Sequence, residues 1–264
     1  MTVVAVASVT GAPGVTRLAL GLATTWPMAA HRRVLVEADP DGGRLGAELG
    51  VGVEPGLMAL ALACRTAALN ADDVVGIGAA AIGSWSLVPA PSSAEQAYSA
   101  LVHGAPALAA VMAGDAAELR AGRPPTDWIV DAGRLDGHSP ALALAKAAGH
   151  VLLVTHGSFP ELQLVPHRVD ALRAAGCHVE VVVVEPTHWS PAEIAEFVRA
   201  EVVSVIPHVG SRRRGVRAMR ANAWRPWWAA VDELATYLAG GVQALLDDDA
   251  DDDDAEAPIE EAVG

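Results

Sequence analysis

The chain has 264 residues, is 52% hydrophobic and carries a formal net charge of −14. That length and apolar content suit one large α/β domain with a full core and exclude a wholly disordered chain. Ten acids and no base fall in residues 247–264, leaving residues 1–246 at −4, so the folded part is mildly acidic and the like-charged tail is expected to be disordered.

In chain order, residues 3–9 form a short, apolar, β-branched run suited to a buried strand. Gly11, Pro13 and Gly14 interrupt it. Thr16 is placed to cap a helix with its body at 17–28. Strand, glycine loop and helix is the order of a phosphate-binding loop, whose backbone N–H groups cradle an anion at a helix N-terminus. The consensus is Gly, four residues, Gly, Lys, then Ser or Thr. Here Gly11 is followed by Ala12, Pro13, Gly14 and Val15, and then by Thr16, Arg17 and Leu18. Thr16 adds a Cβ where backbone approaches phosphate, Arg17 replaces the lysine, and Leu18 lacks the hydroxyl that would hold Mg²⁺. Lys146 is the only lysine, so no register supplies the missing one.

Residues 33–40 read as a second strand ending in Glu37, Asp39 and Pro40, with a turn at 41–43. Short helices are expected at 44–49 and 56–65. Residues 74–94 carry no charge but contain Gly76, Gly78, Gly83, Pro89 and Pro91. Loop, a strand at 85–88 and a turn are expected there, not a membrane span. Ser92 or Ser93 caps a helix with Glu95 and Gln96 in its first turn; it runs towards Arg120 with a break near 104–106. Residues 127–133 are strand, then the acid Asp131, then loop. Helices follow at 139–148, 159–175 and from 190, and strands at 150–155, 179–184 and 202–206. Apolar strands alternating with helices predict a three-layer α/β fold, a mostly parallel sheet flanked by helices. No repeat or linker interrupts 1–246, so one domain is expected there, with the tail at 247–264. Cys64 and Cys177 read as free thiols of a reducing cytoplasm. The first residues lack a basic segment and a cleavage site, so no signal peptide is expected.

Together, the loop at 11–18, the strand end Glu37-Ala38-Asp39-Pro40 and the segment Trp128-Ile129-Val130-Asp131-Ala132-Gly133 resemble the MinD/ParA family of P-loop ATPases. They sit where that family has its variant Walker A loop, its "DxDP" strand end and its Walker B strand running into switch II. Residues 150–155 and 202–207 resemble two later strands of the family, in the same order. The resemblance implies a P-loop fold over residues 1 to about 240, with Gly11, Pro13, Gly14, Val15, Thr16 and Arg17 at the nucleotide phosphates and Asp39 and Asp131 as catalytic candidates. It also implies ATP with Mg²⁺ as cofactor, homodimers and protein partners. The departures fall on the site. The family's early loop lysine would stand at Ala12, and its adenine-reading Asn is replaced by Glu185-Pro186. Asp39 and Asp131 without lysine and hydroxyl make an incomplete Mg-nucleotide site.

Several residues carry two readings. Arg17 is either a bidentate phosphate ligand or a solvated arginine at a helix start. Asp39 is either a relic of metal positioning or a turn former before proline. Asp131, at a strand C-terminus, faces the ligand crevice of an α/β sheet. His156, His167, His178 and His188 fit no zinc spacing, and no metal site is expected. Arg212, Arg213, Arg214, Arg217 and Arg220 lie beside Trp224 and Trp227. They form either a polyanion or membrane surface or the wet face of a helix whose tryptophans pack on the sheet. The favoured expectation is a cytoplasmic positioning or scaffolding protein with a degenerate nucleotide site, peripheral to the inner face of the membrane and serving pilus or secretion machinery. The alternative is a weak partitioning ATPase that binds DNA or membrane through 212–228.

Overall fold

The computed structural model describes residues 1–11, 13–120, 124–208, 219 and 222–252, with the backbone alone at 115–120 and 241–252. In chain order its elements are β1 (Val3–Ser8), α1 (Val15–Thr25), β2 (Arg32–Glu37), α2 (Leu45–Leu49), α3 (Leu57–Ala63), α4 (Ala71–Gly78), β3 (Ala80–Ile82), β4 (Trp85–Val88), α5 (Ala94–Arg120), β5 (Thr126–Arg134) and α6 (Leu142–Ala147). They continue with β6 (His150–His156), α7 (Phe159–Leu162), α8 (Val165–Ala174), β7 (Val179–Val184), α9 (Pro191–Val198), β8 (Val202–Ile206), a 3-10 turn (Asn222–Trp224) and α10 (Arg225–Asp252).

One eight-stranded sheet has the order β3-β4-β2-β5-β1-β6-β7-β8, parallel throughout except for β3 at the edge. The strands read as unbroken apolar runs because both faces are covered. Along β1, Val3, Ala5 and Ala7 join the core under α3, α5, α6 and α8, while Val4 and Val6 join the core under α1 and α10. The period-two alternation of a strand thus feeds two separate apolar layers.

Four details differ from the sequence expectation. The uncharged window holds a helix, α4, and a strand, β3; Asn70 and Asp73 cap α4 reciprocally. α5 continues through Pro106 without a break. Pro106 lies on the exposed face, where water can satisfy the carbonyl that the proline leaves free. The expected helix at 159–175 is two, with Pro166 in the first turn of the second, where its missing N–H costs nothing. α10 continues through Asp252, so the backbone has no break at Leu246; residues 253–264 lie outside the described residues.

Candidate functional site

The loop after β1 bends through Gly14, whose φ of 104° lies in the left-handed region that favours glycine. α1 therefore starts at Val15, two residues before the expected body, and Gly14 takes the cap position assigned to Thr16; no side chain caps this end. Among the described residues the first amides of α1 have no side-chain cap, the arrangement an anion needs. An open cleft of about 290 Å³ lies beside the loop, lined by Gly11, Gly14, Thr16, Arg17, Asp39 and Arg44.

In the first turn of α1 the Thr16 hydroxyl bonds to Asp131, whereas Arg17 and Leu18 are turned elsewhere. Leu18 is 2% exposed and packs in the apolar layer beneath α1 and α10. Arg17 is exposed, and its Cζ lies 5.8 Å from the centre of the Trp224 ring, within cation–π range. A cavity of about 60 Å³ lies past Arg17 at the ends of β6, β7 and β8, against His156, Pro207 and Trp224.

The acids cluster across the sheet from the loop. β5 lies between β1 and β2, with Asp131 level with Val6 on one side and Glu37 on the other. Glu37 is 2% exposed and its carboxylate accepts from three amides: Arg44 N at 2.5 Å, Leu45 N at 2.8 Å and Ala90 N at 3.0 Å. It caps α2 and pins the end of β4. Burial raises its pKa and these amides pull it back only in part. Asp39 accepts from Asp41 N at 2.9 Å, and burial raises its pKa too. Arg134 pairs with Asp41 at 3.1 Å.

β5 carries two buried aspartates four residues apart, and they differ. Asp127, 1% exposed, receives Thr2 N at 2.7 Å and Trp26 Nε1 at 2.8 Å, and meets His31 Nδ1 at 2.8 Å. It is a fully used structural knot. Asp131, also 1% exposed, receives Gly133 N at 3.3 Å on Oδ1, while Oδ2 has no hydrogen-bond partner among the described residues. Burial pushes Asp131 up to about 7; the Thr16 hydroxyl and Gly133 amide oppose this, and the charges of Asp39 and Glu37 add to it. A buried polar atom without a partner is costly and marks a functional position.

The structure thus gathers Gly11, Pro13, Gly14, Val15, Thr16 and Arg17 with Asp39 and Asp131 at one end of the sheet. It adds Arg44 and Arg134, which sequence reasoning missed. Trp224 and Trp227 are 4% and 6% exposed and pack in the core beside α1, which corrects their assignment to a polyanion or membrane surface. Arg212, Arg213, Arg214, Arg217 and Arg220 lie outside the described residues. His150, His178 and Glu180, in contrast, come together at the other end of the strands, against the expectation of no metal cluster.

A parallel sheet whose first strand feeds a glycine turn at a helix N-terminus, with a buried acid on the neighbouring strand, defines a P-loop nucleoside triphosphatase fold. More narrowly, the chain has the fold of the MinD/ParA P-loop ATPases. It is similar to the ParA family ATPase from Chlorobium tepidum TLS, at 13% identity, with a TM-score of 0.68 over 89% of this chain and 98% of that one. It is similar to the cell division ATPase MinD of Pyrococcus furiosus, at 16% identity, with a TM-score of 0.68 over 90% and 98%. The MinC:MinD cell division protein complex of Aquifex aeolicus matches at 13% identity, with a TM-score of 0.60 over 99% of each chain. No protein-family model and no curated protein matches the sequence.

The residues present fit Mg-ATP in part: Thr16 brings a hydroxyl to Asp131, but the loop has no lysine, Arg17 lies over Trp224, and Glu37 is committed to three amides.

Proposed function

We propose that this protein is a MinD/ParA-like positioning or scaffolding protein that works through protein partners and not through ATP turnover. The lack of a lysine in the loop carries this reading: residues 11–18 contain none. A P-loop site works by neutralising charge on the β- and γ-phosphates. Here the loop offers the Thr16 hydroxyl beside Asp131, but its one cation, Arg17, lies over Trp224. Losing one strong transition-state contact costs about 3 kcal/mol, roughly a hundredfold in rate. A partner protein is in keeping with the MinC:MinD complex among the similar structures, and a homodimer extends the same reading. A cytoplasmic place, peripheral to the inner membrane face, and service to pilus or secretion machinery extend the same reading.

The test is titration calorimetry with Mg-ATP together with a phosphate-release assay. No heat and no release are expected. Turnover lost in both Arg17→Ala and Asp131→Ala, with the fold intact, would overturn the reading and restore an enzyme.

One observation favours a second reading. The cleft beside the loop is open and lined by Arg17, Arg44 and Arg134 against Asp39 and Asp41, one positive charge in excess for an anion. A weak partitioning-type ATPase that contacts DNA or membrane through 212–228 would use it. That contact would rest on the arginines, since Trp224 and Trp227 are core residues. Salt-dependent association with DNA or anionic vesicles separates the two.

A further inference from the structure

At the end of the strands away from the loop, β6 and β7 bring three metal-ligating side chains together. His150 opens β6, and His178 directly precedes β7, which begins at Val179. The register pairs Val151 with Val179 and Leu152 with Glu180, so His150 stands beside His178. His178 and Glu180 are two residues apart along an extended segment and share a face. A donor atom of each of the three lies within 4.8 Å of the others. Val151 N donates to His178 O at 2.9 Å, which fixes the backbone of the exposed histidine.

We propose that His150, His178 and Glu180 bind a divalent transition-metal ion of the Zn²⁺ class. Two imidazoles and a carboxylate, with water in the fourth position, form a recurring zinc ligand set. His150 Nδ1 and Glu180 Oε2 are 2.8 Å apart, within hydrogen-bond distance and close to the spacing of two ligands on one ion. Ligand bonds of about 2.0–2.1 Å in a tetrahedron put donors about 3.3 Å apart. Binding a metal therefore opens this pair by about half an ångström, and a turn of the exposed His178 side chain closes the third side.

The supporting shell is already built. Glu180 is 1% exposed, and Tyr237 of α10 donates its hydroxyl to the other carboxylate oxygen, Oε1, at 2.9 Å. A ligating carboxylate held by an outer hydrogen bond is how metal sites fix their ligands. The same bond ties the site to α10, so bound metal would fasten this helix to β6 and β7. Within a strand that is otherwise all valine (Val179–Val184), Glu180 is the one acid, and both its oxygens are held in place by His150 and Tyr237.

The experiment uses the full chain and Zn²⁺ alone, with Co²⁺ as a spectroscopic probe. Calorimetry should show one tight equivalent, and Co²⁺ should give the visible bands of a tetrahedral site. His178→Ala changes an exposed side chain and should leave the fold intact while weakening Zn²⁺ at least about tenfold. His167→Ala, a histidine on α8 outside the cluster, should leave binding unchanged. Zn²⁺ should raise the melting temperature of the parent chain and not that of His178→Ala. Absence of a tight equivalent, or binding that His178→Ala leaves intact, would overturn the proposal.

Discussion

Asp131→Asn keeps the shape of the side chain and removes its titration. The carboxyl is pushed from an ordinary 3.8 up to about 7 by burial, with repulsion from Asp39 and Glu37 added. Between those two values the native protein holds a proton that the unfolded chain has released. Stability from this group is therefore full below pH 3.8 and is lost as pH rises towards and through 7. The difference of about three pKa units corresponds to about 4 kcal/mol at roughly 1.4 kcal/mol per unit. That is a large share of the roughly 5–15 kcal/mol that holds a domain together. The asparagine variant has no such loss. Urea unfolding of both proteins at intervals from pH 4 to pH 8.5 gives the difference directly. The variant's stability relative to the parent should climb with pH by up to about 4 kcal/mol and level off above pH 8. A constant offset depends on how the new amide is bonded and cancels in the slope. A difference that stays flat with pH would show that Asp131 titrates normally, and the account of its burial would fall.

Glu37→Ala strips three amides of their shared acceptor and should cost about 3 kcal/mol or more, read by denaturant unfolding; Glu37→Gln should cost less, because its carbonyl oxygen keeps one acceptor. Leu18→Ala should cost about 2–5 kcal/mol as a buried leucine truncation; a loss under 1 kcal/mol would mean the first turn of α1 is not packed as described. Tyr237→Phe leaves Glu180 Oε1 without its donor and should cost about 1–2 kcal/mol in the metal-free protein.

The sheet was largely legible because parallel strands covered on both faces are short apolar runs: residues 3–8, 128–133 and 179–184 hardly admit another reading. What was missed depended on neighbours. α4 lies in a window where Gly76 and Gly78 suggest a loop, but Gly78 is in contact with Leu60 of α3, and tertiary packing overrides its poor propensity. Pro106 suggests a break, but the face it occupies is wet, so the free carbonyl can be hydrated. The site was legible at its loop, where Arg17 and Leu18 already depart from the consensus. Arg44 and Arg134 carry no local sign of a site; they reach the cleft only because β2 and β5 end side by side.

Two kinds of constraint meet in this chain, and they separate at its acids. Asp127 and Glu37 are buried with every contact accounted for by backbone amides and neighbouring rings, so the fold alone explains them. Asp131 is as deeply buried, yet among the described residues Oδ2 has no partner, and burial pushes its pKa up to about 7. Folding alone would favour a valine at that point of β5. An acid at that point bonds to the Thr16 hydroxyl of the loop, which ties β5 to the candidate site. Glu180 presents the same problem at the opposite end of the strands. There the partners are present, two histidines and a tyrosine, and they are the groups a metal ligand needs. Spacing along the chain could not reveal that cluster, because His150 meets His178 across a strand pair, with α7 and α8 between them in sequence. Histidines on neighbouring strands must be counted in register, and here register is what brings them together.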